Sequence, residues 1–200
     1  MRRAAFALGL LLSFVIGSAA IAQSVVGTSL VEGRKVELMS DNTWRYAAVS
    51  PDNCDDVRLG VRFCSAGTKW SRSVNANPAA SATYQWSDRT FAMYIVEGVG
   101  TDDGFDVDGF TQIALGYVAT AQKTEIENVP VLSIEPVELG DVAGQTVVYS
   151  GLIRGVSVVY INSIFVQADR SLQVVTFGVG LEPTDEMQAA HASLIENTRL

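Results

Sequence analysis

Val156-Ser157-Val158-Val159-Tyr160-Ile161-Asn162-Ser163-Ile164-Phe165-Val166 is the stretch on which the fold turns. Over much of its length apolar side chains stand at positions of both parities. As a strand it would turn apolar groups to both faces of a sheet, so the sheet must be covered on both sides. Working outward, four strands are predicted over 131–139, 145–153, 156–167 and 172–179, each rich in Val, Ile, Tyr and Phe. Gly140-Asp141, Arg154-Gly155 and Asp169-Arg170 punctuate them. Connections this short join antiparallel neighbours, because a parallel crossover needs a dozen or more residues.

Upstream, strands are predicted over 83–86 and 90–96 around Ser87-Asp88-Arg89. Tyr84 and Trp86 share one face of the first, and Phe91, Met93 and Ile95 one face of the second. Phe110, Ile113, Ala114, Tyr117, Val118 and Ala121 then recur at i, i+3, i+4, i+7, i+8 and i+11, a continuous helical stripe. Asp106 or Asp108 is placed to cap its start. A last helix lies within 183–200, opened by Thr184-Asp185-Glu186, with Met187, Ala190, Leu194 and Ile195 as its inner face. Strand pair, helix, four-strand meander, helix predicts an α+β domain over 83–200: a largely antiparallel β-sheet flanked by helices.

Ahead of this domain, 23–50 reads as a small β-meander. Gly33 and Ser40-Asp41-Asn42 supply turns, and Thr43-Trp44-Arg45-Tyr46 alternates so that both rings face one side. Ser50-Pro51-Asp52-Asn53 marks a linker, and 51–82 is expected to be a disulfide loop and connection, with 71–81 rich in Ser, Asn and Ala around Pro78.

Residues 1–22 have the form of a secretory signal. Arg2 and Arg3 precede an apolar run over 4–16, and Ala20-Ile21-Ala22 offers small residues for cleavage between Ala22 and Gln23. The run is broken by Ser13, Gly17 and Ser18 and is shorter than the ~20 residues of a span. No membrane insertion is expected after cleavage, and the location is periplasmic or secreted. In that oxidising setting Cys54 and Cys64, the two cysteines of the chain, are expected to form a disulfide.

The 200 residues carry 14 Lys+Arg against 22 Asp+Glu, a formal charge of −8 that becomes −10 when Arg2 and Arg3 leave with the signal. That balance argues against nucleic acid, whose phosphates attract cations.

The element order from Trp70 onward resembles the PsbP-like fold family, named for an extrinsic photosystem II subunit and including small exported bacterial proteins. The resemblance rests on the strand Phe91-Ala92-Met93-Tyr94-Ile95-Val96-Glu97 leading to the helix at 110–121. It rests also on the run Ser171-Leu172-Gln173-Val174-Val175-Thr176-Phe177 before a helix ending His191-Ala192-Ser193-Leu194-Ile195. It covers about two-thirds of the chain and implies an α/β/α sandwich. It implies no single activity; members tend to be binding, assembly or stability factors. Gly33-x-x-Val36-x-Leu38 followed by Asp41-Asn42-Thr43-Trp44-x-Tyr46 is similar to a hairpin recurring in exported bacterial proteins, and no function travels with it.

The residues offer little reactive chemistry. His191 is the single histidine, set within an amphipathic helix, and no Gly-x-Ser-x-Gly elbow presents a nucleophile. Gly98-Val99-Gly100-Thr101-Asp102-Asp103-Gly104 has the strand-to-helix setting of a phosphate turn. Asp103 stands where the fingerprint needs glycine, and the surrounding carboxylates repel phosphate. Asp102, Asp103, Asp106 and Asp108 form a possible cation or partner surface. As a calcium loop, however, the segment would begin at Gly104 and close at Leu115, where a bidentate Glu is required. Trp44, Trp70 and Trp86 are possible aromatic contacts for a partner. The expectation is an exported, non-enzymatic binding or assembly module that uses no cofactor and no metal and engages another periplasmic protein. The alternatives are a small carboxylate-based hydrolase acting on glycans and a cation-binding protein using the acidic loop.

Overall fold

The computed structural model describes residues 24–31, 34–46, 54–73, 77 and 80–200. The signal segment 1–22 with its cleavage site, the Gly33 turn, the 50–53 linker and Pro78 lie outside the described residues.

Three strands open the chain: β1 (Val25–Val31), β2 (Arg34–Met39) and β3 (Trp44–Tyr46), an antiparallel sheet in that order. The β2–β3 turn is held by Asp41, whose Oδ1 accepts from the backbone N–H and the hydroxyl of Thr43, with Asn42 left-handed at φ 63°. The rings of Trp44 and Tyr46 meet edge to face at 5.4 Å, on one side of β3 as the alternation requires.

A second small sheet joins β4 (Asp55–Arg58) and β5 (Val61–Phe63) to β13 (Thr198–Arg199) at the C-terminus. Leu59 and Gly60, both with positive φ, make the two-residue turn whose twist suits a hairpin. The Cys54–Cys64 disulfide closes its open end, and the Cys64 N–H donates to the Asn197 carbonyl.

The main sheet has seven strands: β6 (Ser71–Arg72), β7 (Ala82–Gln85), β8 (Thr90–Glu97), β9 (Val131–Leu139), β10 (Val142–Ile153), β11 (Val156–Val166) and β12 (Ser171–Val179). The order across it is β6-β7-β8-β12-β11-β10-β9, and every pair is antiparallel. The chain is thus α+β, with a mostly antiparallel sheet and two helices. The predicted strand pair and the predicted four-strand meander are one sheet, joined where β12 lies beside β8.

Because side chains alternate, the register sorts the sheet into two faces. Helix α1 (Val107–Gln122) covers one face over β10 and β11, burying Phe110, Ala114, Leu115 and Val118 against Val147, Tyr149 and Ile164. Helix α2 (Asp185–Asn197) lies on the other face, with Ala190 and Leu194 packed into a core of Ala92, Tyr94, Leu172 and Val174. Val61, Phe63 and Trp70 belong to that same core. The segment expected as loop and connection, 51–82, therefore carries strands and core residues continuous with the α+β body, and β7 begins at Ala82, inside the expected boundary.

Each helix rests over a glycine of the sheet. A Cβ at Gly151 would lie 2.4 Å from Val118 Cγ1 of α1, and one at Gly178 would lie 3.1 Å from Met187 Sδ of α2 and 2.7 Å from the Arg89 carbonyl. Both caps follow the sequence: Asp106 accepts from the Gly109 N–H at 2.7 Å, and the Thr184 hydroxyl accepts from Met187 N–H.

Candidate functional site

Helix α1 is narrower than the face it covers. The residues it buries are Phe110, Thr111, Ala114, Leu115, Val118 and Ala119. The predicted stripe was centred differently: Ile113 is 39% exposed, Tyr117 is 73% exposed, and Ala121 is exposed too. The reason is positional. The helix axis sits over β10 and β11, so the flank carrying Ile113 and Tyr117 overhangs β12 and β8 without reaching them.

Beneath that overhang is a cavity of about 300 Å3. Its mouth is formed by Ile113, Tyr117 and Glu97, its walls by Met93, Ile95, Val118 and Val175, and its floor by Tyr149, Tyr160, Asn162 and Gln173. Among the described residues, no lysine or arginine lines it. Its size sits at the lower end of the range for small-molecule sites.

The floor is ordered by strand register. Tyr149, Tyr160, Phe177 and Phe91 face one another across β10, β11, β12 and β8. Their rings form a continuous row, with Tyr149–Tyr160 stacked at 5.1 Å, Tyr160–Phe177 at 6.2 Å and Phe177–Phe91 stacked at 5.8 Å. One pleat further along, Asn162 stands opposite Val147 and Val175. Its Nδ2 donates to Gln173 Oε1 at 2.9 Å, and both amides are buried. Burial pushes the Tyr149 phenol up, and a hydrogen bond from the Asn162 amide to its oxygen draws it part of the way back. Burial also raises Tyr160.

Asn162 is fully buried, yet its Oδ1 has no hydrogen-bond partner. Four buried side-chain atoms share that condition among the described residues, and Asn162 Oδ1 alone belongs to a residue lining this cavity. An unmatched buried acceptor costs about 1–3 kcal/mol. Sequence reading passed over Asn162 and Gln173, although a signal was present: an amide in the middle of the largely apolar run 156–166 stands out in a strand buried on both faces.

A groove on the opposite face holds the other polar cluster, and His191 lies in it. His191 Nε2 is 2.8 Å from Ser163 Oγ and Nδ1 is 3.0 Å from Thr176 Oγ1, while Ser163 Oγ also meets Thr146 Oγ1 at 2.7 Å. A serine beside a histidine is the first half of a hydrolytic site. Here the residue orienting the ring is a threonine rather than a carboxylate, and burial lowers the imidazole to about 4, which makes it a weak base at neutral pH. The members of this cluster bond one another.

The remaining predicted positions do not converge. Asp102, Asp103, Asp106 and Asp108 are all exposed. Asp103 accepts from the Gly100 N–H at 3.0 Å, and Asp106 serves as the α1 cap. Among the described residues, no three His, Cys, Asp or Glu side chains are grouped so as to hold a metal. Trp70 is buried, with Nε1 donating to the Ala190 carbonyl at 3.3 Å, so it fills the core rather than offering a contact. Trp86 is half-buried against it at 5.2 Å and under the Lys69 ammonium. Trp44, 56% exposed, belongs to the separate β1–β3 sheet. Tyr84 is buried, bonded to Asp55, which also meets Arg72 at 3.4 Å.

Neither a protein-family model nor a curated protein matches the chain. Solved structures similar to it include a cyanobacterial PsbP (CyanoP) from Synechocystis, at TM-score 0.45 and 11% identity over 78% of this chain and 97% of that one. A protein from Bacteroides thetaiotaomicron is similar at TM-score 0.44 and 11% identity over 76% of this chain; the present chain spans 47% of its length. LpqN, involved in cell envelope biogenesis of Mycobacterium tuberculosis, is similar at TM-score 0.34 and 16% identity, over 74% and 84% of the two chains. The PsbP-like resemblance read from the sequence thus reappears as a likeness in chain path. At these scores it carries nothing about chemistry.

Proposed function

We propose that the chain is an exported, non-enzymatic binding module whose ligand site is the cavity between α1 and the β8–β12–β11–β10 face. The observation that carries this reading is the overhang of α1, which leaves a cavity of about 300 Å3 walled by Met93, Ile95, Val118 and Val175 above the sheet. The exposed Ile113 and Tyr117 at the mouth support it, since apolar groups left at the rim of a concave site are typical of binding surfaces.

The non-enzymatic half of the reading is supported by the chemistry of the buried groups. The histidine lacks an orienting carboxylate, and of the rings that could stack on a sugar, Trp70 and Tyr84 are buried and Trp86 is half-buried against Trp70. Export is supported by the signal-like segment 1–22 and by the Cys54–Cys64 disulfide, a bond of oxidising compartments. No helix among the described residues is long and apolar enough to cross a membrane. A periplasmic protein partner remains part of the proposal, with the exposed Trp44 as its anchor.

The test uses N-phenyl-1-naphthylamine, a neutral dye that brightens in apolar sites. The folded protein is expected to enhance its emission saturably, and Ile113→Trp, a change at an exposed rim position, is expected to reduce binding at least fivefold. Absence of saturable enhancement in the folded protein would remove the cavity from consideration.

A further inference from the structure

The apolar wall of the cavity ends on a charge. Along β8 the residues of one parity are Phe91, Met93, Ile95 and Glu97, so the strand that supplies two wall residues carries a carboxylate to the mouth. Residues two apart in a strand stand ~6.6 Å from one another, which sets the Glu97 carboxyl one short alkyl spacer beyond the Ile95 wall. Glu97 is exposed, and among the described residues no cation is paired with it. Ser171 stands opposite it in the register. The adjoining Arg170 directs its guanidinium elsewhere, to Gln167 Oε1 and the Leu59 carbonyl.

The lining that a ligand can touch is apolar up to that carboxylate. Tyr160, Met93, Ile95 and Ile153 keep part of their surface accessible, and Ile113 and Tyr117 are exposed at the rim. Tyrosine rings and a thioether favour a flat aromatic body. At the mouth an anion would face Glu97, on a chain of formal charge −8, and gain no counter-charge. An ammonium held there keeps water on its outer side and meets the carboxylate on its inner side. Its desolvation is therefore small, and the attraction is that of a partly exposed ion pair.

Resting on the cavity reading above, we infer that the site takes a small arylalkylamine, with the aromatic ring in the cavity and a primary ammonium, on a short alkyl spacer, paired with Glu97 at the mouth.

The test compares three probes with one bicyclic ring, by displacement of the naphthylamine dye and by calorimetry: tryptamine as cation, tryptophol as its neutral counterpart of equal size, and indole-3-acetate as anion. Tryptamine is expected to bind about fivefold more tightly than tryptophol, the scale of one ion pair at a partly exposed site, and indole-3-acetate more weakly than either. Glu97→Gln, a change at an exposed strand end, is expected to bring tryptamine to within about twofold of tryptophol. Glu97→Lys is expected to reverse the order in favour of indole-3-acetate. If neither variant folds, the wild-type preference must shrink as sodium chloride rises from about 20 to about 500 mM. Ile113→Trp must weaken tryptamine and dye together, locating both in this cavity. Equal affinities for tryptamine and tryptophol, a preference for indole-3-acetate, or a tryptamine preference that persists in Glu97→Gln or ignores salt would overturn the amine inference while leaving the cavity reading standing. Dye binding without tryptamine binding also overturns it. Failure of probes and dye alike removes the underlying reading.

Discussion

His191 is held between hydroxyls of two adjacent strands, Ser163 of β11 at Nε2 and Thr176 of β12 at Nδ1. A neutral ring donates through one nitrogen and accepts through the other, so one hydroxyl accepts and the other donates. This pins α2 in rotation and register on the sheet without a charge. Protonation would make both nitrogens donors and force the Ser163–Thr146 pair to rearrange.

The first prediction follows from that neutrality. Burial lowers His191 from 6.5 to about 4, so the unfolded chain takes up a proton before the native one does. The native state therefore keeps this contribution above pH 6.5 and loses it progressively as pH falls toward 4, up to about 3 kcal/mol. Thermal or urea melts from pH 7.5 to 4.5 should show the loss, and His191→Gln should flatten the profile over that window. A parallel slope in the variant would show that other groups set it.

The second concerns the hairpin clasp. Cys54→Ser should lower stability by about 2–3 kcal/mol through the freed unfolded chain, read as a lower melting midpoint with the fold retained. The oxidised wild type should yield no alkylated thiol.

The third tests how the two helices are seated. Gly151→Ala places a methyl against Val118 and Gln122, and Gly178→Ala places one against the Arg89 carbonyl and Met187. Each should destabilise by about 1–3 kcal/mol as the neighbours shift. Gly151→Ala alone should also change dye binding, because Val118 lines the cavity.

The fourth concerns Asp102, Asp103, Asp106 and Asp108. With Asp103 and Asp106 engaged on backbone N–H groups, calcium at matched ionic strength should leave the melting midpoint within a degree of that in chelator. A rise of several degrees that vanishes in Asp106→Asn would establish a cation site.

The fifth concerns processing. N-terminal sequencing of exported protein should begin at Gln23, after Ala20-Ile21-Ala22. Intact Met1 in the membrane fraction would refute it.

What the sequence alone determined is local. The alternation in 131–179 and the turn residues between its runs dictate four antiparallel strands, and Arg154-Gly155 adopts the two left-handed conformations its hairpin demands. Asp106 and Thr184 cap the helices because their oxygens reach backbone N–H groups within one turn. Pairing at a distance was not written there. That β12 lies beside β8, that Thr198–Arg199 returns to β5 and that Trp70 is core all depend on which surfaces meet, and no periodicity encodes a meeting. The cavity belongs wholly to this second kind. A helical stripe fixes which residues of α1 are apolar, but only the packing over Gly151 decides that the helix stops at β11 and leaves Ile113 and Tyr117 overhanging. Asn162 becomes the floor of a site for the same reason. Its burial comes from neighbours far along the chain, and the hydrogen bond it lacks is visible only when all of them are in place.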